Sequence, residues 1–113
     1  MRPRTRKLLC DALFAIDAVE GFVTGVSFDV YARQLLLQSG VERQLTILAE
    51  ALIQFAREES DADTLIPLLP QIRGFRNLVI HEYGVVDDSS VWDIVKRDLP
   101  ELRPVLQRLL ESE

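Results

Sequence analysis

The amino-acid sequence predicts an all-α fold, a bundle of four to five helices. Apolar residues recur at three- and four-residue steps through most of the 113-residue chain, which is the spacing of one face of an α-helix. Glycines, prolines and short polar runs separate these segments, as they do at helix ends. No segment carries a strand pattern beyond the short apolar runs that a buried helix also shows. The length suffices for one hydrophobic core, so residues 1–113 are expected to form a single domain.

The first three predicted helices occupy the N-terminal half of the chain. The first extends from about Thr5 to Thr24, where Gly25 provides a stop. Ser27 is predicted to cap a shorter second helix, FDVYARQLLLQ, which Gly40 closes. The third helix, VERQLTILAEALIQFAREE, has the clearest apolar repeat, at Val41, Leu45, Leu48, Leu52 and Phe55.

The fourth predicted helix contains the polar segment RGFRNLVIHEYG. The sequence SDAD interrupts the pattern of the third helix, and Pro67 and Pro70 bracket the start of the fourth. This helix is predicted from roughly Gln71 to Glu82, and Gly84 can end it.

The last predicted helix begins near Val91 and runs toward the C-terminus. The preceding DDSS supplies helix-capping acids, which explains these adjacent carboxylates without a metal ion. Pro100 and Pro104 are expected to kink or restart the helix. Trp92 is expected to pack this helix against the bundle rather than to stack on a nucleic-acid base.

Composition is that of an ordinary folded protein, with 48% hydrophobic and 27% charged residues. Cys10 is the only cysteine, so no internal disulfide or zinc site is expected, and a reducing cytoplasm fits best. Cys10 itself is predicted to be a small buried apolar residue. The basic N-terminus resembles the start of a signal peptide, but Asp11 and Asp17 interrupt its apolar part, so no signal peptide or membrane span is expected.

Charge argues against a broad nucleic-acid-binding face. The chain has 13 Lys and Arg against 18 Asp and Glu, a formal net charge of −5. A local positive site remains open, because basic residues cluster at the N-terminus and in the polar segment. They are Arg2, Arg4, Arg6, Lys7, Arg73 and Arg76.

The fourth helix divides into two faces when its residues are placed at about 100° intervals. The apolar face comprises Ile72, Phe75, Leu78 and Val79. The polar face comprises Arg73, Arg76, Asn77 and His81, with Tyr83 at its edge.

The polar face holds groups suited to phosphate chemistry. His81 is the only histidine, and an imidazole can act as a general acid or base near neutral pH without a metal. Asn77, four residues earlier, can hydrogen-bond that ring, and Arg76 offers a planar charged fork for a phosphate. The Tyr83 phenol can donate to a phosphate oxygen or stack on a base. These groups suit RNA cleavage by attack of a ribose 2′-OH on the adjacent phosphate, although the same spacing also fits a solvated helix face.

Arg76, His81 and Tyr83 form the pattern R-x4-H-x-Y, by which the chain resembles HEPN-domain proteins and in particular the HepT family of toxins. Neighbouring segments match that family in the same order and at the same distances. They are the pair Arg76-Asn77, Gly84, the following VDDSSVWDIVKRDLPEL and the earlier LTILAEAL. The resemblance covers nearly the whole chain.

The resemblance implies a HEPN-like helical homodimer in which the motifs of both subunits face one cleft. It implies a metal-independent endoribonuclease without a cofactor, with tRNA among the candidate substrates. Arg76 and His81 would be catalytic, with support from Asn77 and Arg73. Tyr83 would be the tyrosine that a partner antitoxin, a minimal nucleotidyltransferase, modifies with AMP to silence the toxin.

Dimerisation is also expected from the third helix. Ala49 and Ala51 are small enough to let another helix come close, and the apolar seam beside them suggests surface for a second subunit. A two-fold axis would then double Arg73 and Arg76 within one cleft. Glu50, between the two alanines, could orient a partner arginine, or it could form a solvated or interface salt bridge.

A second function fits the same residues. Arg76 and His81 could bind a phosphate without cleaving anything, so a catalytically silent HEPN domain that binds nucleotide or docks the nucleotidyltransferase is the alternative.

Overall fold

α-Helices account for most of the chain in the computed structural model, which describes residues 1–79 and 86–112. In order they are α1 (Pro3–Val23), α2 (Phe28–Tyr31), α3 (Leu35–Glu58), α4 (Ala62–Leu65), α5 (Leu69–Val79), α6 (Asp88–Asp93), a π-helical turn (Ile94–Asp98) and α7 (Leu99–Glu111). These two described ranges contain no β-strand. The predicted all-α bundle is confirmed.

Helix α3 lies at the centre of the bundle. It packs against α1 on one side and α5 on the other, and α7 packs against α1. The apolar repeat predicted for this helix is fully buried, with every member at most 1% exposed. Ala49 and Ala51 are also buried, at 0% and 7% exposed. Their small side chains therefore serve packing within this chain, and they do not supply the exposed surface on which the dimer prediction rested.

Gly40 does not close a helix, and that prediction is wrong. Helix α2 ends at Tyr31, and α3 begins at Leu35 and continues through Gly40. A Cβ atom at Gly40 would lie 3.2 Å from Cε2 of Phe22, so the glycine leaves room for the ring of α1. Glycine is favoured here because of packing, whereas its usual role at a helix end requires a left-handed backbone.

The end of α1 and the start of α2 follow the predicted chemistry. Gly25 adopts the left-handed conformation with φ of 72° just beyond α1, as expected for a helix stop. Ser27 caps α2, because its Oγ accepts a hydrogen bond from the Val30 amide at 3.2 Å. At the other end of α2, the Tyr31 carbonyl accepts hydrogen bonds from the Gln34 amide at 3.2 Å and from Gln38 Nε2 at 2.9 Å.

Asp87 caps α6, which starts at Asp88, three residues before the predicted start. Its carboxylate accepts hydrogen bonds from the amides and hydroxyls of Ser89 and Ser90. These hydrogen bonds lower the pKa of Asp87 below its ordinary value. The bonds from the Ser89 and Ser90 hydroxyls have the largest effect. The interpretation of this segment as a helix cap is confirmed.

Trp92 anchors α6 to the short helix α2, as predicted. Its ring lies 5.0 Å from the ring of Tyr31 and 6.1 Å from that of Phe28, measured between centroids. Lys96 covers the same indole, with Nζ 5.0 Å from the ring centre. These contacts leave the Trp92 side chain only partly exposed.

The chain stays helical from Asp88 to Glu111 despite two prolines. The Leu99 amide donates to the carbonyl of Ile94, five residues earlier, within the π-helical turn. Pro100 follows immediately, and because proline lacks an N–H and crowds the preceding turn, the wider turn accommodates it. Pro104 lies inside α7 and does not end it. The predicted restart at Pro100 therefore takes the form of a π-helical turn.

The basic N-terminal residues bind partners within the chain. Arg2 and Arg4 both contact the carboxylate of Glu58 at the end of α3, Arg2 at 3.0 Å. The hydrogen bond from Arg4 is the main reason that the pKa of Glu58 lies below its ordinary value. Arg6 donates to the Leu110 carbonyl, and Lys7 pairs with an aspartate one turn along α1. This segment fastens α1 to α3 and α7 rather than forming an open positive site.

Cys10 is exposed, so the prediction that it is buried is wrong. It lies on the outward stripe of α1, whose members recur every three or four residues and are exposed or nearly so: Lys7, Cys10, Phe14, Asp17 and Gly21. The charged residues one turn before and two turns after Cys10 mark this face as the solvent side. None of the described helices is both long enough and apolar enough to cross a membrane.

Replacing Phe75 with alanine should lower the free energy of unfolding by about 3–5 kcal/mol, because its ring is only 2% exposed. Arg76→Ala is the matched control on the next residue, which is exposed, and it should change stability by less than about 0.5 kcal/mol. Urea denaturation followed by circular dichroism measures both. Equal stability losses in the two variants would contradict the assignment of the two faces of α5.

Candidate active site

Helix α5 presents Arg73, Arg76 and Asn77 to solvent while its other face is buried. Ile72 is 0% and Phe75 2% exposed, so the predicted division of this helix into two faces is confirmed over the described part. The predictions for His81 and Tyr83 fall on residues 80–85, which lie outside the described residues. The structure therefore locates three of the five predicted site residues and places them on one helix face.

Arg73 is held by a carboxylate. Its Nη1 lies 3.2 Å from Oδ1 of Asp63, on α4. Both side chains are substantially exposed, so this ion pair contributes little to stability, but it directs the guanidinium toward α4. The sequence analysis did not identify Asp63, because spacing along the chain does not show that α4 folds back beside α5.

Arg76 lines a cavity of about 260 Å³ between α3 and α5. The other lining residues are Glu50, Ile53, Gln54 and Arg57, all on α3. In the part of the chain that the structure describes, Arg76 forms no hydrogen bond or ion pair. Its side chain is exposed at the cavity.

The α3 wall of this cavity carries a second arginine. Arg57 Nη1 donates to Oε1 of Gln54 at 3.3 Å, one helical turn earlier. Glu50 is exposed and forms no ion pair with another described residue, so the cavity holds two guanidinium groups and one carboxylate. Among the α3 residues that line the cavity, only Glu50 was singled out from the sequence. The others share its three- and four-residue spacing, but the sequence does not show which face of α3 meets α5.

A neighbouring groove of about 440 Å³ continues from the cavity toward α1. Glu50 and Gln54 line both spaces, and the groove adds Asp11 and Phe14 of α1. Phe14 is 74% exposed. Carboxylates and an exposed aromatic ring therefore replace the arginines along this stretch of the surface.

Tyr31, the other tyrosine besides Tyr83, is fully buried. Its hydroxyl is enclosed and has no hydrogen-bond partner among the described groups. Burial, with the nearby carboxylates of Glu42 and Asp88 adding to it, raises the pKa of the Tyr31 phenol. Burial and Asp88 likewise raise the pKa of Glu42. A buried, protonated phenol is inaccessible to a modifying enzyme while the chain is folded.

Residues 1–79 and 86–112 contain no group of three carboxylate, thiol or imidazole side chains close enough to hold a metal ion.

The sequence matches the family described as HepT-like ribonucleases over residues 12–109, which is most of the chain. A candidate RNase of Caldanaerobacter subterraneus subsp. tengcongensis is 28% identical over 99% of this chain and 96% of its own length. A candidate ribonuclease HepT of Thermococcus cleftensis is 29% identical over 96% of this chain and 98% of its own length. A candidate RNase of Methanocaldococcus jannaschii is 23% identical over 95% of this chain and 88% of its own length.

No solved structure matches the chain. The family match extends from the first helix to the last and includes the helix that presents Arg76. The chain belongs to the HepT-like ribonuclease family.

Proposed function

We propose that this protein is a metal-independent endoribonuclease and the toxin of a toxin–antitoxin pair, acting on cytoplasmic RNA. Its family membership supports ribonuclease activity. The observation that carries the proposal is the exposed guanidinium of Arg76, which faces a cavity and has no partner among the described residues. An exposed, permanently charged guanidinium beside a cavity suits an anionic substrate.

Arg76 binds the scissile phosphate in this proposal. Its planar fork can donate two hydrogen bonds to the non-bridging oxygens, and it offsets the negative charge that builds up on them as the phosphorus becomes five-coordinate. Arg73 is directed toward Asp63 and has a supporting role, because its charge is partly offset by that carboxylate.

His81 supplies acid–base chemistry. The ribose 2′-OH attacks the adjacent phosphorus and loses its proton to a base, while the P–O5′ bond breaks and the departing oxygen gains a proton. The products are a 2′,3′-cyclic phosphate and a 5′-hydroxyl. An imidazole suits these transfers near neutral pH, and Asn77, one helical turn earlier in sequence, is expected to orient the ring.

A homodimer completes the proposed site. The described surface exposes large apolar side chains on α1 and at the start of α3: Phe14 is 74%, Leu35 75% and Leu36 86% exposed. A second subunit would remove such surface from water. Two copies of Arg76 in one cleft would also concentrate positive charge on a chain whose net charge is −5.

Tyr83 is the proposed site of control by a nucleotidyltransferase antitoxin. The motif places this phenol seven residues after Arg76. An AMP group on its hydroxyl would bring a phosphate near the guanidinium that must hold the RNA, and the adenosine would fill the cleft. Tyr31 is buried and therefore closed to such an enzyme in the folded chain, which favours Tyr83, the second of the two tyrosines in the sequence.

Arg76→Ala and His81→Ala should each abolish RNA cleavage, and each should relieve the growth arrest that expression of the wild-type chain causes. Gel analysis of RNA incubated with purified protein measures cleavage, and Arg108→Ala, an exposed arginine of α7, is the matched control. Cleavage should persist in EDTA. Full activity in both site variants, or a strict need for magnesium, would contradict the mechanism. RNA binding without any cleavage by the wild-type chain would favour the silent binding module.

The wild-type chain should scatter light as a particle of twice its 12.9 kDa mass at micromolar concentration. Leu36→Asp should shift the mass toward the monomer, because it places a charge in the proposed apolar interface. Gln107→Asp adds the same charge at an exposed position of α7 and should leave the dimer intact. A wild-type mass of one chain would defeat the composite cleft.

Incubation with the cognate nucleotidyltransferase and ATP should add one or more AMP groups to Tyr83 and stop RNA cleavage. Intact-mass spectrometry and peptide mapping measure the modification. Tyr83→Phe should remain unmodified, and it should stay toxic in the presence of the antitoxin if the hydroxyl is not catalytic. An unchanged mass, or AMP mapped to Tyr31, would remove this regulatory role.

A further inference from the structure

We infer that Arg57, oriented by Gln54, is a second phosphate-binding residue of the site and holds the RNA backbone beside the phosphate bound by Arg76. The subsite is the cavity between α3 and α5, and its ligand is a phosphodiester group of single-stranded RNA. This inference rests on the proposed ribonuclease function and extends it to a substrate contact outside the R-x4-H-x-Y motif.

The arginines of the described chain differ in the groups that they contact. Several arginines contact carboxylates: Arg2, Arg4, Arg73, Arg97 and Arg103. Arg57 instead donates to the neutral side chain of Gln54, and Arg76 has no described partner. Both line the same cavity. Two guanidinium groups in one small space repel each other, and Glu50 brings a single carboxylate to the cavity. An anion between the two arginines would offset the remaining repulsion.

Gln54 orients the guanidinium of Arg57. Gln54 lies one helical turn before Arg57, and its Oε1 accepts a hydrogen bond from Nη1 at 3.3 Å. This bond occupies one donor of the guanidinium and leaves the others free, and a positioned fork loses less freedom when it binds a phosphate. The adjacent Glu58 does not compete for Arg57, because Arg2 and Arg4 occupy its carboxylate.

Size limits what the cavity can accept. Its volume of about 260 Å³ is below the range of roughly 300–1,000 Å³ typical of pockets that enclose a whole small molecule. A phosphate with its water fits this space, whereas a base and ribose must remain outside. The cavity therefore suits backbone binding that is independent of sequence.

Charge sets one boundary of the subsite. Glu50 lines the cavity on the side where the groove toward α1 begins, and Asp11 lies farther along that groove. A phosphate would be repelled by these carboxylates. The backbone is therefore restricted to the end of the cavity that Arg57 and Arg76 line.

The test compares wild type, Arg57→Ala and Arg43→Ala, an exposed arginine on α3 that lines neither the cavity nor the groove. Two assays are used: steady-state cleavage of a single-stranded RNA, and equilibrium binding of the all-2′-deoxy oligonucleotide of the same sequence, which lacks the attacking hydroxyl. Arg57→Ala should raise KM and weaken oligonucleotide binding about 10-fold to 100-fold, with a much smaller change in kcat. Arg43→Ala should match wild type in both assays.

Salt dependence separates a phosphate contact from a structural effect. The logarithm of the binding constant falls linearly with the logarithm of the salt concentration. Loss of one phosphate contact should make this slope less steep by about 0.7 for a single strand. An Arg57→Ala variant with unchanged KM, oligonucleotide affinity and salt slope would overturn the inference even if wild type cleaves RNA. If wild type binds the oligonucleotide but cleaves nothing, the proposed function fails, and the binding assay still decides the role of Arg57.

Discussion

Burial of one face of α5 against α3 is the constraint on which the proposed site depends. Ile72 and Phe75 are almost completely removed from water, and this fixes the rotation of the helix about its axis. Arg76 lies about 100° from Phe75 and about 40° from Ile72 around the helix, so it falls at the edge of the buried face, beside α3. The same packing brings the outward side of α3, with Arg57 and Gln54, to the other wall of the cavity. The hydrophobic core thus determines where the cations lie.

Ion pairs connect α1 to the C-terminal end of α3 and to α7. Arg2 and Arg4 bind Glu58 in the last turn of α3, and Arg103 of α7 contacts Asp17 and Glu20 of α1. These ion pairs use basic residues that a count of charges would assign to RNA binding. Within the described ranges, several arginines contact no carboxylate: Arg33, Arg43, Arg57, Arg76 and Arg108. Of these, Arg57 and Arg76 line the cavity between α3 and α5. A chain with an acidic net charge can therefore offer a focused site for a phosphate.

The apolar repeat of α3, the caps at Ser27 and Asp87 and the two faces of α5 were predictable from the sequence. Each depends on the spacing of neighbouring residues, which is a local property. Gly40 was misassigned because its reason is a contact with Phe22, a residue that is distant in sequence. Cys10 was misassigned from the usual behaviour of its residue type, although the spacing of charged residues around it indicated the solvent side. Arg57 was missed because the face of α3 that meets α5 is set by tertiary packing.

We propose that RNA is cut by its own 2′-hydroxyl at a phosphate held by Arg76, with His81 moving the protons. The most direct measurement is the chemistry of the product ends after cleavage in EDTA, read by mass spectrometry of a short RNA. A 5′-hydroxyl and a 2′,3′-cyclic phosphate, or the 3′-phosphate formed by its hydrolysis, are the predicted ends. A 5′-phosphate with a 3′-hydroxyl, or cleavage of an RNA whose 2′-hydroxyl at the cut site has been removed, would contradict the account.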